Sequence, residues 1–178
     1  MTEFPRGPIP DSYWVEPGRL LAGAYPGAVE DAAAVERIAL FGAAGIDFFL
    51  DLTEEGELRP YLDGIAPLEH RRISIRDFTC PSSDDMRAIL DALDDALGRG
   101  RRVYVHCWGG IGRTGTVIGC WLVRHGRSAE EALDLIADRR RETPNAWRRS
   151  PETDEQRALI EHWHEHDRPS PAGAAPSG

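Results

Sequence analysis

There is no lysine in this chain of 178 residues; all 21 basic side chains are arginine. That absence removes Schiff-base chemistry, attachment of a pyridoxal cofactor and the lysine of a Walker phosphate loop. Cysteine is scarce: Cys80, Cys107 and Cys120 are three, an odd number and too few for a disulfide framework. No run approaches the roughly 18 apolar residues of a membrane span. The opening MTEFPRGPIP lacks the apolar segment of a signal peptide. An excess of positive charge is missing too. The net charge is -9, which argues against nucleic acid or an anionic membrane as the main partner. Together these absences lead us to expect a cytoplasmic protein with free thiols.

With 41% hydrophobic and 29% charged residues, the chain has the composition of one soluble globular domain. We expect an irregular Pro-rich segment over residues 1–11, a domain over 12–166 and a disordered tail over 167–178. Tyr13 to Val15 and Leu20 to Tyr25 read as short strands around a Pro17-Gly18 turn. Glu30 to Phe41 has helical spacing and ends at Gly42 and Gly45. Ile46 to Leu52 is a continuous apolar run, hence a buried strand, followed by a polar loop from Thr53 to Leu58. Arg71 to Ile75 predicts a strand, Asp77 to Ser83 a loop, and Asp84 to Leu97 an amphipathic helix. Arg101 to Cys107 predicts a buried strand and Arg113 to His125 a helix that is apolar nearly all round. Ser128-Ala129-Glu130-Glu131 is a capping box that opens a helix to about Arg141. Ser150-Pro151 reads as the start of a last helix to about His166. Strands alternating with helices predict an α/β fold, with a central, mostly parallel twisted sheet and helices on both faces. Sites in such folds lie beyond the carboxyl ends of strands, where Asp51, Asp77 and Cys107 fall.

The segment His106-Cys107-Trp108-Gly109-Gly110-Ile111-Gly112-Arg113-Thr114-Gly115 carries the chemistry. The cysteine lies in a tight loop between a strand and a helix N-terminus, where backbone N–H groups and the helix dipole make an anion site. Such a field favours a thiolate. A thiolate, a phosphate-sized cradle and a planar arginine fork are what cysteine-dependent phosphoryl transfer requires. The ordinary alternative for Cys107 is a buried inert thiol, and for Arg113 a surface arginine. Gly110-x-Gly112-x-x-Gly115 is formally a dinucleotide fingerprint, but a helix follows where a second strand is required. His162 and His166 stand at metal-pair spacing, yet histidines at a helix C-terminus are favourable without metal. We therefore expect neither cofactor nor metal.

The His106-Cys107-x5-Arg113-Thr114-Gly115 pattern resembles the signature loop of the cysteine-based protein-tyrosine and dual-specificity phosphatases. Gly18 to Gly27, FFLDLTEEGEL and RISIRDFTCPSSD extend the resemblance toward the kinase-associated phosphatases and their bacterial relatives. The resemblance implies a phosphate monoester hydrolase acting through a cysteinyl-phosphate on phosphotyrosine, with phosphoserine and phosphothreonine as further substrates. Cys107 would be the nucleophile, Arg113 the phosphoryl ligand and residues Trp108, Gly109, Gly110, Ile111 and Gly112 the rest of the phosphate-binding loop. Thr114 would support the thiolate, His106 would order the loop, and Asp77 would be the general acid. Asp84 and Asp85 are read instead as charges at a helix start. Gln156 matches a glutamine that places the hydrolytic water in relatives. Apart from the resemblance, Arg148 and Arg149 either add charge at the cleft rim or face solvent, and Cys80, in the proposed acid loop, is weighed as a resolving thiol for Cys107 against a spacing too wide for a disulfide. A phosphorylated protein substrate and a monomer are expected. The alternatives are a phosphoinositide or inositol phosphate phosphatase, and a phosphopeptide-binding module.

Overall fold

The computed structural model describes residues 4–61 and 67–165. The expected tail over 167–178, the first three residues of the N-terminal segment and His166 lie outside them. The elements are β1 (Ser12–Glu16), β2 (Leu20–Gly23), α1 (Asp31–Ala43), β3 (Phe48–Asp51), β4 (Glu69–Arg72), α2 (Ser83–Gly98), β5 (Val103–His106), α3 (Gly112–Arg124), α4 (Ala129–Arg140) and α5 (Asp154–Glu161). The strands form one sheet in the order β1-β2-β5-β3-β4. Only β1 runs antiparallel to its neighbour; the other pairings are parallel. The expected α/β architecture is present.

Period-two alternation sorts the side chains onto two faces. Trp14, Leu21, Phe49 and Tyr104 point toward Ile38 and Phe41 of α1. Val15, Ala22, Leu50 and Val105 point into a larger core built with α2, α3, α4 and α5. Because β5 is central and buried on both faces, its sequence VYVH lacks polar alternation. Helix α3 is buried from Gly112 through Leu122, which explains its apolar circumference. A Cβ on Gly119 would come within 2.2 Å of Ile160, so glycine lets α5 approach closely. Among the described residues, no helix is long and apolar enough to cross a membrane.

Two expectations need correction. The strand placed at Arg71 to Ile75 is β4, Glu69–Arg72. It is an edge strand with a polar, largely exposed sequence, so hydrophobic patterning drew the prediction toward Ile73 and Ile75 just beyond it. The last helix does not start at Ser150-Pro151. Its N-cap is Thr153, whose hydroxyl accepts from Gln156 N while the Gln156 side chain reaches back to the cap. That reciprocal pair satisfies two orphan donors and outcompetes the Ser-Pro signal. Helix α5 ends at Glu161 rather than near His166.

Candidate active site

Strand β5 delivers the site. Gly23 of β2, His106 of β5 and Asp51 of β3 stand in register at the carboxyl edge of the sheet. The chain then turns through residues 107–111 into the N-terminus of α3. Gly110 has φ +69°, and a Cβ there would lie 2.3 Å from the Gly23 carbonyl carbon, so both conformation and space require glycine. The loop's carbonyls are anchored from outside. Tyr25 N donates to Trp108 O at 2.9 Å, Asn145 Nδ2 to Gly109 O at 3.3 Å and Ser150 Oγ to Ile111 O at 2.7 Å. Ser150, the expected helix cap, is thus a strut for the loop.

The structure brings Cys107, Thr114 and Arg113 together. Cys107 is 3% exposed, and its Sγ accepts a hydrogen bond from Thr114 Oγ1 at 3.1 Å. Thr114 sits in the first turn of α3, next to Arg113, whose side chain is almost wholly buried. Glu57 grips that guanidinium bidentately, at 2.8 Å to NH1 and 2.6 Å to NH2, and NH1 also donates to Ile75 O at 3.1 Å. Its buried Nε has no hydrogen-bond partner among the described residues. Burial works against the charge of Arg113, but Glu57, Cys107 and Asp77 outweigh it and raise its pKa. Hydrogen bonding from Arg113 lowers that of Glu57 in turn. Sequence reasoning placed Glu57 merely in a polar loop. The available signal was a carboxylate just past the carboxyl end of a parallel strand.

Asp77 lies in the loop preceding α2, with Oδ1 3.2 Å from Arg113 NH2 and accepting from Phe78 N at 3.0 Å. Phe78 has φ +57°, alone among the described non-glycine residues in being positive. A bulky residue held there stores local strain, a recurrent mark of functional loops. Asp77, Phe78, Cys107, Trp108, Arg148 and Glu152 line one open cleft of about 260 Å³. Asp84 and Asp85 are elsewhere. They occupy the first turn of α2, where Asp84 pairs with Arg87 and Asp85 joins the Ser82 cap.

His106 backs the loop from beneath. Its Nδ1 lies 3.1 Å from Cys107 O and its Nε2 2.5 Å from Tyr61 Oη. A carbonyl only accepts, so Nδ1 carries the proton and Nε2 accepts from the tyrosine. Burial pushes the imidazole pKa down to about 4, against the pull of nearby Asp51. Asp51 is itself buried, which opposes its ionisation. Hydrogen bonds from His70 and Thr53 and the nearness of His106 more than compensate and lower its pKa. Arg72 adds an ion pair at 3.0 Å. Tyr61, His70 and Arg72 were not anticipated; two of them belong to the polar edge strand.

Other expected residues land farther out. Gln156 is fully buried, its Oε1 accepting from Glu152 N and Thr153 N and its Nε2 donating to Thr79 O at 3.4 Å. It couples α5 to the Asp77 loop. Arg148 lines the cleft, paired with Glu152, while Arg149 pairs with Asp154. Cys80 is half-buried and does not line the cleft. Burial and the Glu155 carboxylate push its thiol up.

Comparisons with known proteins converge on this site. The family model "Polymorphic toxin system, DSP-PTPase phosphatase" matches residues 25–127, which hold Glu57, Asp77, Cys107 and Arg113. The chain is 31% identical over 115 residues to the viral tyrosine phosphatase homologue 067L of Invertebrate iridescent virus 3, covering 62% of this chain and 48% of that one. It is 36% identical over 69 residues to the dual specificity protein phosphatase CDC14B of Mus musculus, covering 38% and 14%. The matches thus span about half the length of the curated relatives, or less. Among solved structures, Tk-PTP in its active form superposes with TM-score 0.66 at 30% identity, over 85% of this chain and 95% of that one. Kinase associated phosphatase superposes equally well, with TM-score 0.66 at 21% identity over 84% and 90%, a likeness of fold.

Proposed function

The chain belongs to the DSP-PTPase phosphatases, and we propose that it hydrolyses phosphotyrosine in proteins through a cysteinyl-phosphate formed on Cys107. The observation that carries this reading is the buried triplet of Cys107, Thr114 and Arg113. The Thr114 hydroxyl meets the sulfur, and Arg113 brings a buried guanidinium beside it. A planar guanidinium next to a nucleophile matches the oxygens of a phosphoryl group. The loop at the head of α3 meets the remaining charge.

In this mechanism the Cys107 thiolate attacks phosphorus in line, while Asp77 protonates the departing oxygen. Glu57 keeps the Arg113 fork from swinging out of register. The Thr114 hydroxyl later supports the sulfur as it leaves. His106, donating to Cys107 O, fixes the peptide that begins the loop. No cofactor enters the reaction. The preference for tyrosine is supported by Phe78 and Trp108, exposed residues that line the cleft. Two apolar lips over a buried anion site suit an aryl phosphate better than an alkyl one.

The test is a panel of phosphotyrosyl, phosphoseryl and phosphothreonyl peptides with inositol phosphates. We expect kcat/KM to be highest for phosphotyrosyl peptides, and that margin to shrink in Trp108→Ala. Faster turnover of an inositol phosphate than of every peptide would contradict the reading.

A further inference from the structure

We propose that Glu152, rather than Gln156, holds the attacking water in the second half-reaction, an inference that rests on the cysteinyl-phosphate reading above. Once the phosphoryl group is on sulfur, a water must be aimed at phosphorus from the side the alcohol has left. A water so placed needs acceptors for its two hydrogens, with its lone pair toward phosphorus. Asp77, ionised after protonating the leaving group, is one acceptor. The structure supplies one candidate for the other.

Gln156 lies against the loop but is committed. Its Oε1 takes two backbone N–H groups of the α5 cap and its Nε2 donates to Thr79 O. It does not line the cleft. Glu152 does, together with Cys107 and Asp77. Its Oε1 is engaged by Arg148. Its Oε2 takes no hydrogen bond from another described residue and lies 2.6 Å from where a Cβ on Gly112 would be. The second oxygen therefore rests against Gly112 of the phosphate loop, in the cleft that Asp77 also lines. The backbone amide of Glu152, held by Gln156, fixes the side chain's origin, and Arg148 fixes its far end. Arg148 also offsets the negative charge that a carboxylate brings toward a phosphoryl group. A side chain at Gly112 would meet this carboxylate and push it aside.

The step balances as follows. Water oxygen bonds to phosphorus and the P–S bond breaks, its electron pair returning to Cys107 as thiolate. One water proton passes to Asp77, which restores the acid for the next cycle. The other hydrogen stays on oxygen, hydrogen-bonded to Glu152 Oε2, and leaves with inorganic phosphate.

Glu152→Gln tests this with aryl phosphates of graded leaving-group pKa, read by rapid mixing and acid quench. The variant should release a burst of one phenol per enzyme at the wild-type rate. Its steady-state turnover should then fall about tenfold or more and become independent of the leaving group, with phosphoenzyme accumulating on Cys107. Gly112→Ala, which pushes the carboxylate aside, should show the same accumulation. Unchanged turnover, or a loss that grows with leaving-group pKa without accumulation, would overturn the role of Glu152. If no phosphoenzyme forms in wild type or variants although phenol is released, the cysteinyl-phosphate reading itself fails, a separate outcome. The thermal unfolding midpoint of each variant guards against misfolding: a loss of turnover tracking a lowered midpoint, without accumulation, also counts against the proposal.

Discussion

Cys107 and Cys120 stand at the two ends of one argument about burial. Both are buried, both pack in the same core, and α3 touches both: one just before its N-terminus, the other two turns in. Cys120 is surrounded by apolar side chains, and burial pushes its thiol well above the ordinary value. Cys107 has a hydroxyl on its sulfur, a buried guanidinium near it and a helix N-terminus ahead of it. Burial alone makes a thiol inert, as at Cys120. Burial combined with oriented donors makes an anion site.

The sharpest way to break this contrast is to remove each sulfur in turn. Cys107→Ser should lower kcat by about 10⁴-fold or more, since a serine hydroxyl forms no comparable anion at neutral pH. Phosphate binding should persist, read by titration calorimetry. Next in size, Asp77→Asn should slow hydrolysis of substrates with poor leaving groups by about 10²–10⁴-fold. The loss should shrink as the leaving group's own pKa falls. Asp84→Asn and Asp85→Asn should lack that dependence, because those carboxylates serve the start of α2.

The support beneath Cys107 also predicts a pH effect that Cys120 does not share. His106 is neutral in the fold, with its pKa pushed down from 6.5 to about 4. The unfolded chain therefore binds more protons in that window, so the stabilisation is present above about pH 6.5 and is lost as pH falls toward 4. The full effect is up to about 3 kcal/mol. Thermal unfolding followed between pH 7 and 4.5 should show the decline, and His106→Gln should flatten it. A wild-type profile that stays flat would mean that His106 is not held neutral. Smaller still, Thr114→Ala should cost about 10–100-fold in kcat, the worth of a hydrogen bond to a charged group. Cys120→Ala should leave kcat unchanged and cost about 1 kcal/mol of stability, the scale of a small cavity.

How much was legible in the sequence follows from the range of the interactions. The phosphate loop is contiguous, and its glycines, cysteine and arginine carry their reason in their spacing. The apolar circumference of α3 and the unbroken runs of β3 and β5 announced a central parallel sheet. The Ser128 capping box appeared where it was read. What escaped depends on tertiary neighbours. Glu57 reaches Arg113 across 56 positions, and Tyr61 reaches His106 across 45. Nothing local marks Tyr61, and Glu57 carries only the weak mark of a carboxylate past the end of a parallel strand. Edge strand β4 is polar because one side faces solvent, so hydrophobic patterning shifted it. At α5 two cap signals competed within four residues, and the one with reciprocal hydrogen bonds won. The cap bonds of Gln156 met the same obstacle, since they appear only once the helix start is known.

The most direct test of the account is to find where phosphorus goes. Wild-type protein turning over an aryl phosphate, quenched in acid and digested, should yield a phosphorylated peptide containing Cys107. Cys107→Ser should yield none, and the peptides bearing Cys80 and Cys120 should remain unlabelled. A phosphoryl group on another residue, or steady turnover by Cys107→Ser, would contradict the claim that this buried thiol is the nucleophile.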